Sequence, residues 1–439
     1  MSSGSSLLDA LPEPSARRLA IRVTPDALRR IRSRHPWVYD GSIDSVNHDD
    51  GAPGDIGVVF DKNRKFAAIG LWDPNSPIRL RMIHVGKPVT IDGAWFGERI
   101  AESVERRQVI FDQHAQNADA VHRPGYRAVN GENDGLPALV VDCYADVAVI
   151  KLYSEIWYSH LGSIVEAVIA TTDSSTVVLR LARNLQERES YGLTDGDVLV
   201  GDAPDGPILF SEGGLTFEAD VQTGQKTGHF LDQRANRIHV GELSAGKRVL
   251  DVFASTGGFT VHAAAGGATS VHAIDASQPT LDVVQRNLDH NANVPAVVGC
   301  EVTTQAEDAF DAMGALSRSG HKYDIVIVDP PSFAQKATTV GRARAAYAKL
   351  TKLAIGLVEE GGILVQASCS SRVTPEEFFE TVAEAAYDHG ATFTELRRTG
   401  HDVDHPVSFD QGEYLKAGFW QVDPGSAPGR GSLSDQPDW

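Results

Sequence analysis

From residue 246 onward, short apolar runs and amphipathic stretches take turns along the chain. "RVLDVF", "SVHAID", "YDIVIVD" and "GGILVQAS" have the length and composition of buried strands, while "GGFTVHAAAGG" and "QPTLDVVQRNLDHN" have helical spacing. Strand–helix alternation of this kind predicts an α/β domain built on a parallel, doubly wound sheet over residues 222–423. The pattern upstream is different. "IGVVFD" and "FAAIGLWD" flank the turn "KNRK", and "PIRLRMI" alternates like a half-buried strand, which predicts a small β-rich unit over 20–88. Within it, "TPDALRRIRSR" reads as a short helix capped by Thr24, with Pro25 at its first position. Phe96, Ile100, Val104 and Phe111 share one helical face and predict a single linking helix over about 92–117, inside a connecting segment 89–125. Residues 126–221 read as a central α+β unit. It holds two strands in "ALVVDCYADVAVIKLY", the helix "SHLGSIVEAVIA", the strand "STVVLRLA" and a hairpin turning at Gly213–Gly214. Residues 1–19 read as a flexible leader, and the Gly/Pro/Ser-rich residues 424–439 as a disordered tail.

Composition narrows the class. The 439 residues are 42% hydrophobic and 23% charged, as in an ordinary globular chain. An apolar run of about 18 residues, the length a membrane span needs, does not occur, and the first residues lack an apolar signal core. A cytoplasmic protein is expected. Three cysteines at wide spacing, Cys143, Cys300 and Cys369, argue against a disulfide framework and against a zinc site. The net charge of −19 argues mildly against nucleic acid, which demands a basic surface. The charge is uneven, however. Arg17, Arg18, Arg22, Arg29, Arg30, Arg32 and Arg34 face only Asp26 within their own stretch. That cluster reads equally as a solvated helix face or as an RNA-binding surface, with Arg30 and Arg34 as candidate contacts.

Ligands of an open parallel sheet bind at the carboxyl ends of its strands. After the first strand of the C-terminal domain comes "DVFASTGGFT", which places Ser255, Thr256, Gly257 and Gly258 at a helix start. Asp275 ends the second strand, 24 positions after Asp251, where an acid can hold ribose hydroxyls. Asp308 follows the third strand and is placed to meet an adenine amine. Neither G-x-G-x-x-G nor G-x-x-x-x-G-K is present. A ribose-binding acid without phosphate-binding glycines suits S-adenosylmethionine.

The fourth strand ends in Asp329-Pro330-Pro331-Ser332-Phe333. The prolines stiffen the tip, Phe333 offers a stacking face, and Asp329 can engage a base edge. The fifth strand ends at Ser368-Cys369. Taken alone, Cys369 reads as a small buried residue. Beside Asp329 and a methyl donor it reads as a nucleophile that adds to C6 of a pyrimidine and activates C5. Such an RNA base must leave its stack to react.

Seven segments together resemble the bacterial ribosomal RNA large-subunit methyltransferases that make 5-methylcytosine: "RHPWVYDGSI", "YRAVNGENDGLPALVVDCYAD", "QTGQKTGHFLDQRANR", "VLDVFASTGGFTVHAA", "VDPPSFA", "ASCSS" and "GEYLKAGFWQV". The resemblance runs over about residues 20–422 and implies an N-terminal PUA domain, a central α+β domain and a class I, Rossmann-like methyltransferase domain. It implies Cys369 as nucleophile, Asp329 on the base, and Asp275 and Asp308 on the cofactor, with Gln233 and Arg234 closing over it. The pattern departs from the family at Ser255, where members often carry an aromatic residue or glycine. Two alternatives stay open: a guanine N-methyltransferase using Asp-Pro-Pro without a nucleophile, and a non-catalytic RNA-binding assembly factor. Ribosomal RNA is the expected partner, and a homodimer is left open.

Overall fold

The computed structural model describes residues 7–48, 50–117, 120–188, 190–334 and 337–424. Beyond residue 424, the expected tail lies outside the described residues. The described residues fall into two compact units, one of residues up to 232 with 402–412 and one of 233–401 with 413–424.

In the first unit, six strands pair in the order Trp37–Tyr39, Ile78–Val85, Phe66–Trp72, Ile56–Phe60, Arg18–Val23, Ile43–Val46. Strict exposed–buried alternation along Arg18–Val23 puts Leu19, Ile21 and Val23 into the core. The helix Pro25–Arg32 starts where the Thr24 hydroxyl accepts from the Ala27 N–H, and buries Ala27 and Ile31. A second sheet runs Val198–Val200, Thr176–Leu181, Val147–Leu152, Leu139–Tyr144, Tyr126–Asn130. The strands Ile208–Glu212 and Leu215–Ala219 form a hairpin whose turn glycines, Gly213 and Gly214, take φ of 60° and 86°. Ile56, Ile69 and Leu71 of the first sheet join Ile150 and Trp157 of the second region in one apolar cluster. Within the stretch read as a leader, Leu7–Ala10 form a short 3-10 turn, and Leu8 and Leu11 pack against this same cluster.

The single linking helix is corrected by the structure. The chain forms two helices there, Gly93–Glu105 and Gln108–Ala115, and leaves helical geometry at Arg107. The guanidinium of Arg107 is fully buried, donating to Asp134 and to the carbonyls of Ser103 and Arg127. Phe111 still points inward, 4.9 Å from the Tyr126 ring.

The second unit carries the methyltransferase-like sheet. Its strands are β1 Arg248–Val252, β2 Ser270–Asp275, β3 Glu301–Ala306, β4 Tyr323–Val328, β5 Val358–Ser368, β6 Ala391–Thr399 and β7 Lys416–Pro424, in the order β3-β2-β1-β4-β5-β7-β6. Around them lie α1 Arg234–Leu243, α2 Gly258–Ala265, α3 Gln278–His290, α4 Ala309–Arg318, α5 Val340–Ile355 and α6 Pro375–His389. Helices cover both faces. On β4, Val326 and Val328 enter a layer with Tyr347 and Leu350 of α5, while Ile325 and Ile327 enter the opposite layer with Val240 and Phe259. Burial on both sides explains the uninterrupted apolar run "YDIVIV". β1 to β5 are parallel, as expected. β7 is antiparallel to both neighbours, which the strand-by-strand pattern did not show. Hydropathy marks a strand but not its direction. Among the described residues, no helix is long and apolar enough to cross a membrane.

Candidate active site

The glycine loop between β1 and α2 is held in an unusual backbone path. Phe253, Ser255 and Gly257 all take positive φ, at 67°, 50° and 81°. Ser255 thus occupies a conformation natural to glycine. A Cβ on Gly257 would lie 2.8 Å from Val284 of α3, and one on Gly258 would lie 2.5 Å from the Arg237 side chain of α1. These glycines permit close packing of the loop against its own helices.

Around the loop, polar side chains hold its backbone. Both oxygens of half-buried Asp275 accept N–H groups, from Ser255 and Ser277, each at 3.0 Å. Each oxygen keeps a further lone pair for a ligand hydroxyl. Buried Asn287 donates to the Thr256 carbonyl at 2.8 Å, and the Thr260 hydroxyl donates to Asp251 at 2.7 Å. The second oxygen of fully buried Asp251 has no hydrogen-bond partner among the described residues, and burial pushes its carboxyl up to about 6. Gln233 is also buried. Its carbonyl accepts from Asn236 at 2.6 Å, while its amide nitrogen has no partner among the described residues. Arg234 is buried at the start of α1. One unpaired buried acceptor and one unpaired buried donor are groups that a polar ligand would satisfy. S-adenosylmethionine, with an ammonium, a carboxylate and ribose hydroxyls, fits that donor and acceptor set. Asp308 is exposed, and one of its oxygens caps α4 by accepting from Phe310 and Asp311 at 2.9 and 3.3 Å.

At the next strand ends, two loops are joined. The Asp329 N–H donates to Val252 at 3.3 Å, which ties the tip of β4 to β1. β4 and β5 are adjacent and parallel, with Val328 opposite Gln366. Cys369 follows β5 half-buried, its sulfur 3.8 Å from the Pro330 carbonyl. The Ser370 hydroxyl donates to Ala334 at 3.1 Å. Pro330 is buried, Pro331 exposed, and Phe333 half-buried against Tyr347 with ring centroids 5.2 Å apart. Tyr347 also shares a 2.8 Å hydrogen bond with Ser368, and burial raises its phenol above the usual range, reinforced by the nearby Cys369 and Asp329. The other two thiols differ. Cys143 is buried and pushed up to about 12, and Cys300 is raised by partial burial. Among the described residues, no cluster of His, Cys, Asp or Glu could hold a metal.

The basic stretch lies in the first unit. Several of its arginines meet acids distant in sequence: Arg17 pairs with Asp50 at 3.0 Å, and Arg32 with Asp61 at 3.6 Å. Arg29 pairs with Asp26 at 2.7 Å. Asp26 is the acid within the stretch, and chain folding brings Asp50 and Asp61 to it from outside. Arg30 is exposed and lies 2.8 Å from His35, and Arg34 is exposed with φ of 64°. Sequence reasoning missed Asn287 and Tyr347. Asn287 left a readable trace, a polar residue inside the stripe Leu281, Val284, Leu288. Tyr347 left none, since a tyrosine on an apolar helix face is ordinary core.

Comparison with known proteins adds to this geometry. A family model of S-adenosylmethionine-dependent methyltransferases matches residues 134–410, and a PUA-like domain model matches residues 21–84. A ribosomal RNA large subunit methyltransferase from Deinococcus radiodurans is 45% identical over 413 residues, covering 94% of this chain and 99% of its own. A ribosomal RNA large subunit methyltransferase I from Alteromonas mediterranea is 31% identical over 394 residues, covering 89% and 96%. Among solved structures, a Streptococcus mutans protein described as a SAM-dependent methyltransferase shares the fold, with a TM-score of 0.75 at 20% identity, covering 92% of this chain and 100% of that one. A second structure with the same overlap is complexed with SAH.

Proposed function

This chain belongs to the S-adenosylmethionine-dependent ribosomal RNA large subunit methyltransferases, and on that premise we propose that it methylates C5 of a cytosine in large-subunit ribosomal RNA through a covalent adduct to Cys369. The observation that carries the reading is half-buried Cys369, its sulfur 3.8 Å from the carbonyl of Pro330 in the Asp-Pro-Pro loop. A guanine amine needs no such thiol. C5 of a pyrimidine is a poor nucleophile until a group adds at C6.

The cofactor, when bound, supplies an electrophilic methyl group on its sulfonium. Asp275 is placed for its ribose hydroxyls, and the unpaired oxygen of Asp251 and the amide of Gln233 for its polar groups. Asp308, with one oxygen committed to capping α4, has the other for an adenine amine. Ser255, Thr256, Gly257 and Gly258 shape the loop beneath it. The base, flipped from its stack, lies between Phe333 and the tips of β4 and β5. Asp329 accepts from its exocyclic amine, and Pro330 and Pro331 hold the tip rigid. The Cys369 thiolate bonds to C6 and moves electron density to C5, which takes the methyl group. Loss of the C5 proton to a base then expels the thiolate and restores the double bond. The PUA-like domain, through Arg30 and Arg34, holds RNA phosphates and sets register.

RNA carrying 5-fluorocytidine tests this directly. Fluorine at C5 blocks the elimination, so wild type with cofactor should give a denaturant-resistant protein–RNA complex. Cys369→Ala should give neither complex nor methylation. Methyl transfer that survives Cys369→Ala would instead identify an amine as acceptor and favour guanine.

A further inference from the structure

We propose that Lys416 is a positioning residue for the nucleophile: its buried ammonium clamps the turn that follows Cys369 and presents a positive charge to the thiolate. The role rests on Cys369 being the nucleophile, as proposed above.

Lys416 begins β7 and stands opposite Ser368, the residue before Cys369, in the antiparallel ladder. Its side chain is buried at 2% exposure. The ammonium donates to the carbonyls of Ser370 and Val373 and, at 3.2 Å, to that of Tyr414. An ammonium has three N–H donors, and all three go to neutral backbone. Two of those carbonyls belong to the turn just after Cys369, so one side chain fixes the path by which the sulfur leaves the sheet.

A buried lysine hydrogen-bonded only to neutral carbonyls is costly, because solvation is lost and no carboxylate bonds it directly. Burial accordingly lowers the lysine to about 8, and the negative group acting on it most strongly is Cys369, ahead of Glu413 and Glu377. Tyr347, whose phenol burial keeps neutral, feels both Cys369 and Asp329 at the tip of β4. The turn could have been anchored by glutamine or by water. A charge beside the sulfur does what those cannot: an opposite charge within about 4–6 Å lowers a thiol's pKa and raises the thiolate fraction near neutral pH.

The test is the pH dependence of Cys369 alkylation by iodoacetamide in the full-length protein, followed by peptide mass mapping so that Cys143 and Cys300 do not contribute. Wild type should show a midpoint below the roughly 8.5 of a free thiol; a midpoint at or above that value overturns the proposal without any variant. Lys416→Met and Lys416→Gln should each raise the midpoint by about one unit or more. Both should lower kcat at least tenfold at pH 7 with little change in KM for S-adenosylmethionine, and Lys416→Arg should restore part of the loss. An unchanged midpoint in a folded variant would reduce Lys416 to a structural anchor. The alkylation midpoint is read independently of methyl transfer. Survival of activity in Cys369→Ala would sink the nucleophile, whereas an unmoved midpoint would sink only Lys416.

Discussion

Asp251 is fully buried with one oxygen unpaired, and its carboxyl is raised from 3.8 to about 6, chiefly by burial. In the unfolded chain it ionises near its ordinary value. The folded state therefore binds the extra proton between about pH 4 and 6, and its stability falls as pH rises through that window. Asp251→Asn keeps a partner for Thr260 and removes the buried charge. Guanidinium denaturation without cofactor should show the variant more stable than wild type at pH 7, by at most on the order of 3 kcal/mol, with the gap closing below pH 4. Saturating S-adenosylmethionine should shrink the difference, because the variant loses an anionic acceptor for the ligand ammonium. An advantage over wild type no larger at pH 7 than at pH 4 would contradict this account. Legibility at this scale was uneven. Asp275, Asp329 and Cys369 could be picked from strand ends because each follows an apolar run at a fixed offset. Asp251 could not, since an acid inside a strand gives no sign of which oxygen will find a partner.

The glycine loop owes its shape to two elements, not one. Gly257 combines a left-handed φ of 81° with an approach to Val284 of α3 that leaves no room for a methyl group. Asn287 of the same helix holds the Thr256 carbonyl from the other side. Gly257→Ala should destabilise by about 1–3 kcal/mol, the sum of backbone strain and overpacking. Asn287→Ala should cost about 1–2 kcal/mol for the missing buried hydrogen bond. Both should weaken S-adenosylmethionine binding at least fivefold in titration calorimetry. Unchanged affinity with lowered stability would mean that α3 supports the fold but not the pocket. The alternating pattern predicted β1, β2, β4 and β5, of which β4 shows most plainly how burial on both faces writes itself as a continuous apolar run; the exposed edge strand β3 carries no such run. The pattern failed at residues 92–117, where the helix breaks at the buried Arg107 while its apolar stripe continues past the break. It also missed the direction of β7, which the connection decides and the strand's own residues do not.

At the scale of the whole chain, an enzyme for a polyanion carries a net charge of −19. Folding sharpens the conflict, because Asp50, Asp61 and Asp26 take up Arg17, Arg32 and Arg29. The pairs of Arg17 and Arg32 could not be read locally, since Asp50 lies 33 residues from Arg17. Arg30 and Arg34 remain exposed on the PUA-like unit, with no acid within ion-pair distance among the described residues. RNA affinity should therefore come from few neutralised phosphates and depend only moderately on salt. A log–log plot of RNA binding against salt should have a shallow slope, and Arg30→Ala with Arg34→Ala should reduce its magnitude by about one for each phosphate that is no longer neutralised. Methyl transfer at saturating RNA should be preserved in the double variant, since neither residue belongs to the unit that holds Cys369. A slope unmoved by the double substitution would place the phosphate-binding surface elsewhere and leave these arginines as a solvated helix end.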